Sequence, residues 1–210
     1  MTASARLLLV RHGETIWHAD NRYAGAASDI DLTANGRRQA EQLARWASRQ
    51  GVDALAVSPV RRALETAAPS AAALQLAPLI VEDLREIDFG VAEGRTSAEL
   101  LSVDADMVHA FRRDPVAHPF PGAEGPAHAA ARAGAALREV ARPHPGGCLL
   151  VVAHNTLLRL ALCELLELPI SRYRQLFPRL DNAAVTEISL PADRAAPAAL
   201  LCLNQHLSIP

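Results

Sequence analysis

Three short apolar runs, each cut off by a polar or charged residue, limit what this chain can fold into. Leu7–Val10 ("LLLV") stops at Arg11 and His12. The run inside "DALAVS" stops at Ser58. "CLLVVA" stops at His154. Four to six apolar residues without polar alternation read as strands covered on both faces. The segments between carry the helical period instead. Ala40, Leu43, Ala44 and Ala47 line one face, with Arg37, Arg38, Glu41, Gln42 and Arg45 on the other. Buried strands alternating with helices predict an α/β fold: a three-layer sandwich with a mostly parallel central sheet and helices on both faces.

Local signals fill in the order. Thr33 reads as an N-cap, and Gly51 ends the helix that follows. Ser58 and Pro59 read as an N-cap and first-turn pair, starting a helix that runs to about Leu74. "PLIVEDLREI" is extended, with a turn around Asp83. Residues from about 92 to 126 lack a clean period and gather prolines and glycines. They predict short helices and loops forming a small lid over the C-terminal ends of the strands. Ala127 to Ala141 is an alanine-rich helix. An apolar helix follows His154 until Pro169 stops it. "AVTEISL" and "LLCLNQHL" suit an antiparallel pair at the C-terminal edge, with "ADRAAPAA" as an exposed loop between them. The expected organisation is one domain, 1–210, with the lid at about 92–126.

Composition removes several kinds of chemistry. All 21 basic residues are arginine. A chain without lysine has no side-chain Schiff base and no Walker-type P-loop, so an anion must be held by arginine, histidine and backbone N–H groups. A net charge of −2 with no basic block argues against nucleic acid. Cys148, Cys163 and Cys202 have no CxxC spacing, which predicts reduced thiols. No signal peptide fits the start of the chain. The apolar stretch Leu157–Leu168 is too short for a membrane span and contains Arg159 and Glu164. A cytoplasmic protein is expected, with no membrane partner. His109, His118, His128, His144 and His206 show no ligand spacing, so neither a metal nor a cofactor is expected.

The residues that end the apolar runs carry the functional signal. In open α/β sheets the carboxyl ends of the strands line the ligand crevice. Three strand ends there deliver Arg11, His12, Arg62 and His154 to one rim, where helix N-termini add donors. Arginine side chains grip phosphate oxygens bidentately, and their field keeps a nearby imidazole neutral. A neutral imidazole is a nucleophile for phosphorus. His12 is therefore the expected phosphoryl carrier, with Arg11, Arg62 and His154 around the phosphate. Glu86 is the expected proton donor to the leaving oxygen. Asp88 and Glu14 are its competitors, and Glu14 is given a local role on backbone or arginine near the nucleophile. Arg61 is the close rival of Arg62: a helix turns about 100° per residue, so the two cannot face the pocket equally. Trp17, Tyr23, Phe89 and Phe120 are candidates for the substrate mouth or for packing.

Four stretches, "LLLVRHGET", "SPVRRALETA", "LREIDFGVAEG" and "LLVVAHN", together resemble the histidine phosphatase superfamily, the phosphoglycerate-mutase-like fold. "DIDLTANGRRQA" and "FPGAEG" match more weakly. The resemblance implies a phosphohistidine at His12, a phosphate pocket of Arg11, Arg62 and His154, an acid/base at Glu86, and no metal. It selects Arg62 over Arg61 and Glu86 over Asp88. His18 stands where many members have asparagine, Asn155 where many have glycine, and Gly125 where the family has serine. His18, Asn155, Tyr23 and Gly25 complete the expected substrate- and phosphate-binding set. The short segment from Glu86 to His154 resembles phosphatases of the family more than mutases, although Arg95, Arg112 and Arg113 offer lid cations. The expected activity is hydrolysis of a small phosphomonoester, with room for a partly apolar leaving group. A cofactor-dependent mutase and a non-catalytic phosphate-binding module are the alternatives. The expected partner is a small phosphorylated substrate, and a homodimer is left open.

Overall fold

The computed structural model describes residues 4–193 and 196–207. Part of the expected "ADRAAPAA" loop, residues 194 and 195, lies outside them. The chain forms β1 (Ala5–Arg11), α1 (Ala34–Ala47), β2 (Ala54–Val57), α2 (Arg61–Leu74) and β3 (Leu79–Ile80). Then come α3 (Ser97–Val103), α4 (Ala105–Arg113), α5 (Pro126–Ala141), β4 (Cys148–Ala153), α6 (Asn155–Leu165), α7 (Tyr173–Leu176), β5 (Val185–Leu190) and β6 (Ala199–Gln205). The strands make one sheet in the order β3-β2-β4-β1-β5-β6. The first four run parallel; β5 and β6 add an antiparallel edge.

Alternation along the central strands sorts the core into two layers. Leu7 and Leu9 of β1 and Leu149 and Val151 of β4 pack with α5 and α6 residues such as Leu137 and Leu160. Leu8, Val10, Leu150 and Val152 face the other way, onto Leu43 and Ala47 of α1 and Ala63 and Ala67 of α2. A strand needed on both faces cannot carry a polar residue, which is why these runs are uninterrupted. The three-layer expectation is met, and 92–126 holds the two short helices α3 and α4.

One boundary differs. Ser58 does not cap α2: the N-cap is Val60 and the helix begins at Arg61. Ser58 instead closes a turn, its Oγ accepting from the Val60 N–H at 3.3 Å. Thr33 does cap α1, accepting from the Gly36 N–H. The turn near Asp83 is a single 3-10 turn, Glu82–Leu84. Among the described residues no helix is long and apolar enough to cross a membrane.

The register of β1 and β4 sets up the rim. Arg11 pairs with Ala153, so the next residue of each strand, His12 and His154, leaves the sheet at the same level. The His12 N–H still donates to the Ala153 carbonyl at 3.0 Å. Close approach of α1 supports this corner. A Cβ on Gly36 would strike the Glu14 carbonyl, and one on Gly13 would come within 2.8 Å of the Gly36 carbonyl.

Candidate active site

His12 is buried, with its ring centroid 5.3 Å from that of His154 and 5.9 Å from that of His18. Its Nδ1 lies 2.7 Å from the Gly13 carbonyl, which can only accept. The proton therefore sits on Nδ1 and the lone pair on Nε2. Arg62 Nε donates to that lone pair at 3.2 Å. Burial, then the fields of Arg62 and Arg11, hold the ring neutral far below the ordinary imidazole range. The result is an oriented, uncharged nitrogen nucleophile.

Arg62 is wholly buried in the first turn of α2. Its remaining donors go to backbone: Nη1 to Ser28 O at 2.9 Å, Nη2 to Gly25 O at 3.0 Å and Ala24 O at 3.3 Å. Thr66, one turn on, donates to the Arg62 carbonyl and accepts the Gly13 N–H. It ties the strand-end loop to α2. Arg61, by contrast, is exposed and paired with Asp29, Asp31 and Glu65.

His154 is fully buried and neutral for the same reasons as His12, burial first. Its Nε2 lies 2.7 Å from Ser58 Oγ. That oxygen also accepts from the Val60 N–H. Nδ1 has no hydrogen-bond partner among the described residues. Arg11 donates Nη1 to Leu180 O and Nη2 to His18 Nε2 at 2.6 Å, while its buried Nε is unpartnered. Desolvation lowers its pKa to about 10, so it remains charged. His18 is kept neutral by burial and by Arg11. Its Nε2 also faces Asn182 Nδ2 at 3.2 Å, so it acts as an acceptor there rather than as a donor.

Glu86 is the buried carboxylate of the group. Oε1 accepts from the Leu157 N–H at 2.8 Å and the Ile87 N–H at 2.9 Å; Oε2 accepts from the Thr156 N–H at 3.0 Å. Thr156 and Leu157 open α6, whose own N-cap, His154, makes no side-chain cap. Glu86 thus caps α6 from 70 residues away. Burial raises its pKa above the usual carboxylate range, opposed by these N–H groups and Arg62. Asp88 only closes a turn on the Gly90 N–H.

His12, Arg11, His18, Tyr23, Glu86 and Asn155 line one cavity of about 270 Å³. A larger one of about 610 Å³, between β3 and α5, is lined by none of the candidate residues; the chemistry, not the volume, locates the site. Arg62 and His154 are buried against His12, with Arg62 Nε 3.2 Å from its Nε2 and the two ring centroids 5.3 Å apart. Three expectations need correction. Gly25 does not line the cavity: its N–H goes to Ser28 and its carbonyl to Arg62, and a Cβ there would strike the Glu93 carboxylate. Glu14 bonds Thr33 and Asn35, not arginine, pinning the N-terminus of α1. Arg95, Arg112 and Arg113 are exposed and outside the cavity wall. Tyr23 also packs on Phe89, Phe111 and Phe120, so the aromatics are mostly core. Residues that the sequence did not single out also stand here: Ser58, Thr66, Asn182, whose Nδ2 donates to His12 O at 2.8 Å, and the cavity-lining Arg159 and Arg174.

A strand-end histidine with a fixed tautomer, ringed by arginines and faced by a buried carboxylate, defines a phosphoryl-transfer class of site. The family model for the histidine phosphatase superfamily (branch 1) matches residues 7–201, and the chain belongs to that family. Phosphoserine phosphatase 1 of Hydrogenobacter thermophilus is 31% identical over 189 residues, covering 90% of this chain and 88% of the relative. The alpha-ribazole phosphatase of Shigella flexneri superposes with a TM-score of 0.83 at 28% identity, covering 98% of this chain and 99% of its own. Phosphoserine phosphatase of Entamoeba histolytica, solved with 3-phosphoglyceric acid, gives 0.82 at 27%, covering 96% and 98%.

Proposed function

We propose that the protein hydrolyses a small phosphomonoester through a phosphohistidine at His12. Hydrolysis is the chemistry the family and its phosphatase-named relatives support. The observation that carries the assignment to residues is the fixed tautomer: Nδ1 is held by Gly13 O, leaving Nε2 free to bond phosphorus.

In the first half-reaction His12 Nε2 attacks phosphorus, the bond to the ester oxygen breaks, and the Glu86 carboxyl gives its proton to the leaving alkoxide. Arg62 Nε, released from the lone pair it now faces, turns its N–H to a phosphoryl oxygen. Arg11 Nε and His154 in its Nδ1–H form, both without a hydrogen-bond partner at these atoms among the described residues, hold the others. In the second half, Glu86 takes a proton from water, the water oxygen bonds phosphorus, and the N–P bond breaks. Inorganic phosphate leaves and His12 regains its lone pair. The chain works as one domain with 92–126 as its lid, in the cytoplasm, where its cysteines stay reduced.

The test uses p-nitrophenyl phosphate, then 3-phosphoglycerate with a trace of 2,3-bisphosphoglycerate. Phosphate release from the first without isomerisation of the second is the expected result. Isomerisation identifies a mutase, and silence in both a binding module. Quenching turnover of a radiolabelled ester should trap an acid-labile phosphoryl group on residue 12. His12→Ala should fold normally and show neither label nor turnover.

A further inference from the structure

His12 and His18 line the same cavity, but their rings are held in opposite ways. Nδ1 of His12 is met by the Gly13 carbonyl, which fixes its proton there. Nδ1 of His18 is met by three groups of Thr15. The N–H lies at 3.0 Å, the hydroxyl at 2.9 Å and the carbonyl at 3.2 Å. Thr15 is the N-cap of the 3-10 turn Ile16–His18, and the turn folds the ring of its third residue back onto its own cap. Of the three groups, one only donates, one only accepts, and the hydroxyl does either. A neutral ring is therefore satisfied at this end whether Nδ1 carries the proton or the lone pair.

The other end of the ring meets donors. Arg11 Nη2 lies 2.6 Å from His18 Nε2, and Asn182 Nδ2 lies 3.2 Å from it. Guanidinium and amide nitrogens only donate, so Nε2 accepts here and the proton sits on Nδ1. In this form His18 presents a lone pair, and a phosphoryl oxygen, itself an acceptor, gains no bond from it. Nε2 becomes a donor either by gaining a proton or by receiving the one from Nδ1. The charges around the ring favour the second route. After burial, Arg11 at the end of β1 and Arg62 in α2 hold the ring neutral. Glu14, the carboxylate that favours a charged ring, is spent on Thr33 and Asn35. His12, with its ring centroid 5.9 Å away, is neutral too. A change of tautomer adds no charge and loses no partner at Nδ1, because the Thr15 N–H can donate to the lone pair left there.

We infer that His18 is a tautomer switch in the anion site, accepting from Arg11 and Asn182 in one form and donating Nε2–H to a phosphoryl oxygen in the other. The proton leaves Nδ1 and arrives at Nε2 by exchange with solvent, and the ring is neutral in both forms. Arg11 Nη2 is then free to face the same anion, beside its unpartnered Nε. The inference rests on the phosphatase reading and deepens it. His18 becomes a switchable ligand of the phosphoryl group, and Thr15 the positioning residue that lets it switch.

Nitrogen-15 labelling of histidine reports the tautomer directly, because pyrrole-like and pyridine-like ring nitrogens resonate apart. Spectra are taken at about pH 8, where phosphate is a dianion and an ordinary histidine is neutral, without and with saturating inorganic phosphate. His18→Gln lacks one ring and so assigns the signals. At His18, phosphate should turn Nδ1 from pyrrole-like to pyridine-like and Nε2 the reverse. A ring that keeps its tautomer overturns the inference, and so does one that becomes protonated on both nitrogens. Calorimetric Kd values for phosphate give a second readout. His18→Leu should weaken binding about tenfold or more, the worth of a lost hydrogen bond to a charged group. His18→Gln, whose amide can turn either its oxygen or its N–H to the same place, should recover most of that loss. An unchanged Kd in His18→Leu overturns the inference. If p-nitrophenyl phosphate is not hydrolysed while phosphate still switches the ring, the phosphatase reading fails and the switch stands. If the ester is hydrolysed and the tautomer does not change, the switch fails alone.

Discussion

Arg62 Nε lies 3.2 Å from His12 Nε2, so a permanent cation faces the lone pair of the proposed nucleophile. Burial and, after it, this contact keep the ring neutral, and in the proposed mechanism the contact marks where a phosphoryl oxygen arrives. The carbonyls of Ala24, Gly25 and Ser28 offset the burial of this cation by taking three of the other guanidinium protons. Arg62→Lys keeps the charge but not the fork. It should lower kcat by about 10²-fold or more, the usual worth of a lost transition-state donor. It should also lower stability by about 1–3 kcal/mol, because buried carbonyls lose partners. Stopped assays and urea melts of the same preparation measure both. Loss of activity with unchanged stability would mean the three carbonyls find other donors.

Glu86→Gln separates proton donation from helix capping. The amide retains one acceptor oxygen for the amides of α6 but cannot give up a proton as an acid. With an alkyl phosphate, kcat should fall by about 10²- to 10⁴-fold. p-Nitrophenolate leaves without help, so the loss there should be far smaller in single-turnover phosphorylation. The pH profile supplies a second readout. His12 loses its proton well below 6.5, so the rising limb lies far on the acid side. Glu86 must be protonated to act and does so up to a value raised above 4.5, so the falling limb belongs to it. That falling limb should vanish in the variant.

Which of these features could be seen in sequence follows from how local their causes are. The strands β1 and β4 were legible because burial on both faces forbids polar residues within them. The rim residues were legible because they end those runs. Glu86 and Asp88 are two residues apart and equally acidic; what separates them is the pair of α6 amides, 70 residues on, and no local pattern carries that. Ser58 looked like a cap because it does satisfy a backbone N–H, but the helix starts later and its hydroxyl serves His154. Thr66 and Asn182 are ordinary polar residues until tertiary pairing gives them Gly13 N and His12 O. Arg159 reads along the chain only as a charge interrupting an apolar helix; that it lines the cavity shows only once the chain is folded.

Gly36→Ala probes the approach of α1 to the strand-end loop. The added Cβ would meet the Glu14 carbonyl, which is backbone and cannot swing away. Overpacking of this kind costs about 1–3 kcal/mol, a Tm loss of roughly 2–12 °C for a chain of this size. Glu14 is held to Thr33 and Asn35 at the same corner, so the shift should reach His12 and lower kcat as well. A Tm scan beside a p-nitrophenyl phosphate assay checks both. An unchanged Tm would show that the loop yields without loss.

The two buried histidines also make stability depend on pH. In the folded state His12 and His154 accept protons only well below 6.5, whereas in the unfolded chain they accept them near that value. Their contribution is complete above 6.5 and is lost as pH falls through the interval below, where only the unfolded state is protonated. Glu86 acts with the opposite sign. Its folded value is raised, so it favours the fold near 4.5 and less as pH rises. Two histidines against one carboxyl leave a net loss on acidification from neutrality. Each histidine contributes a slope of about 1.4 kcal/mol per pH unit within its window. His154→Gln can keep a hydrogen bond to Ser58 but does not titrate. Its urea-derived stability should therefore fall less between pH 7 and pH 5 than that of the unaltered protein, by about one proton's slope. Parallel pH dependences for the two proteins would mean that His154 takes up its proton in the folded state as readily as in the unfolded chain, against its burial beside Arg62 and His12.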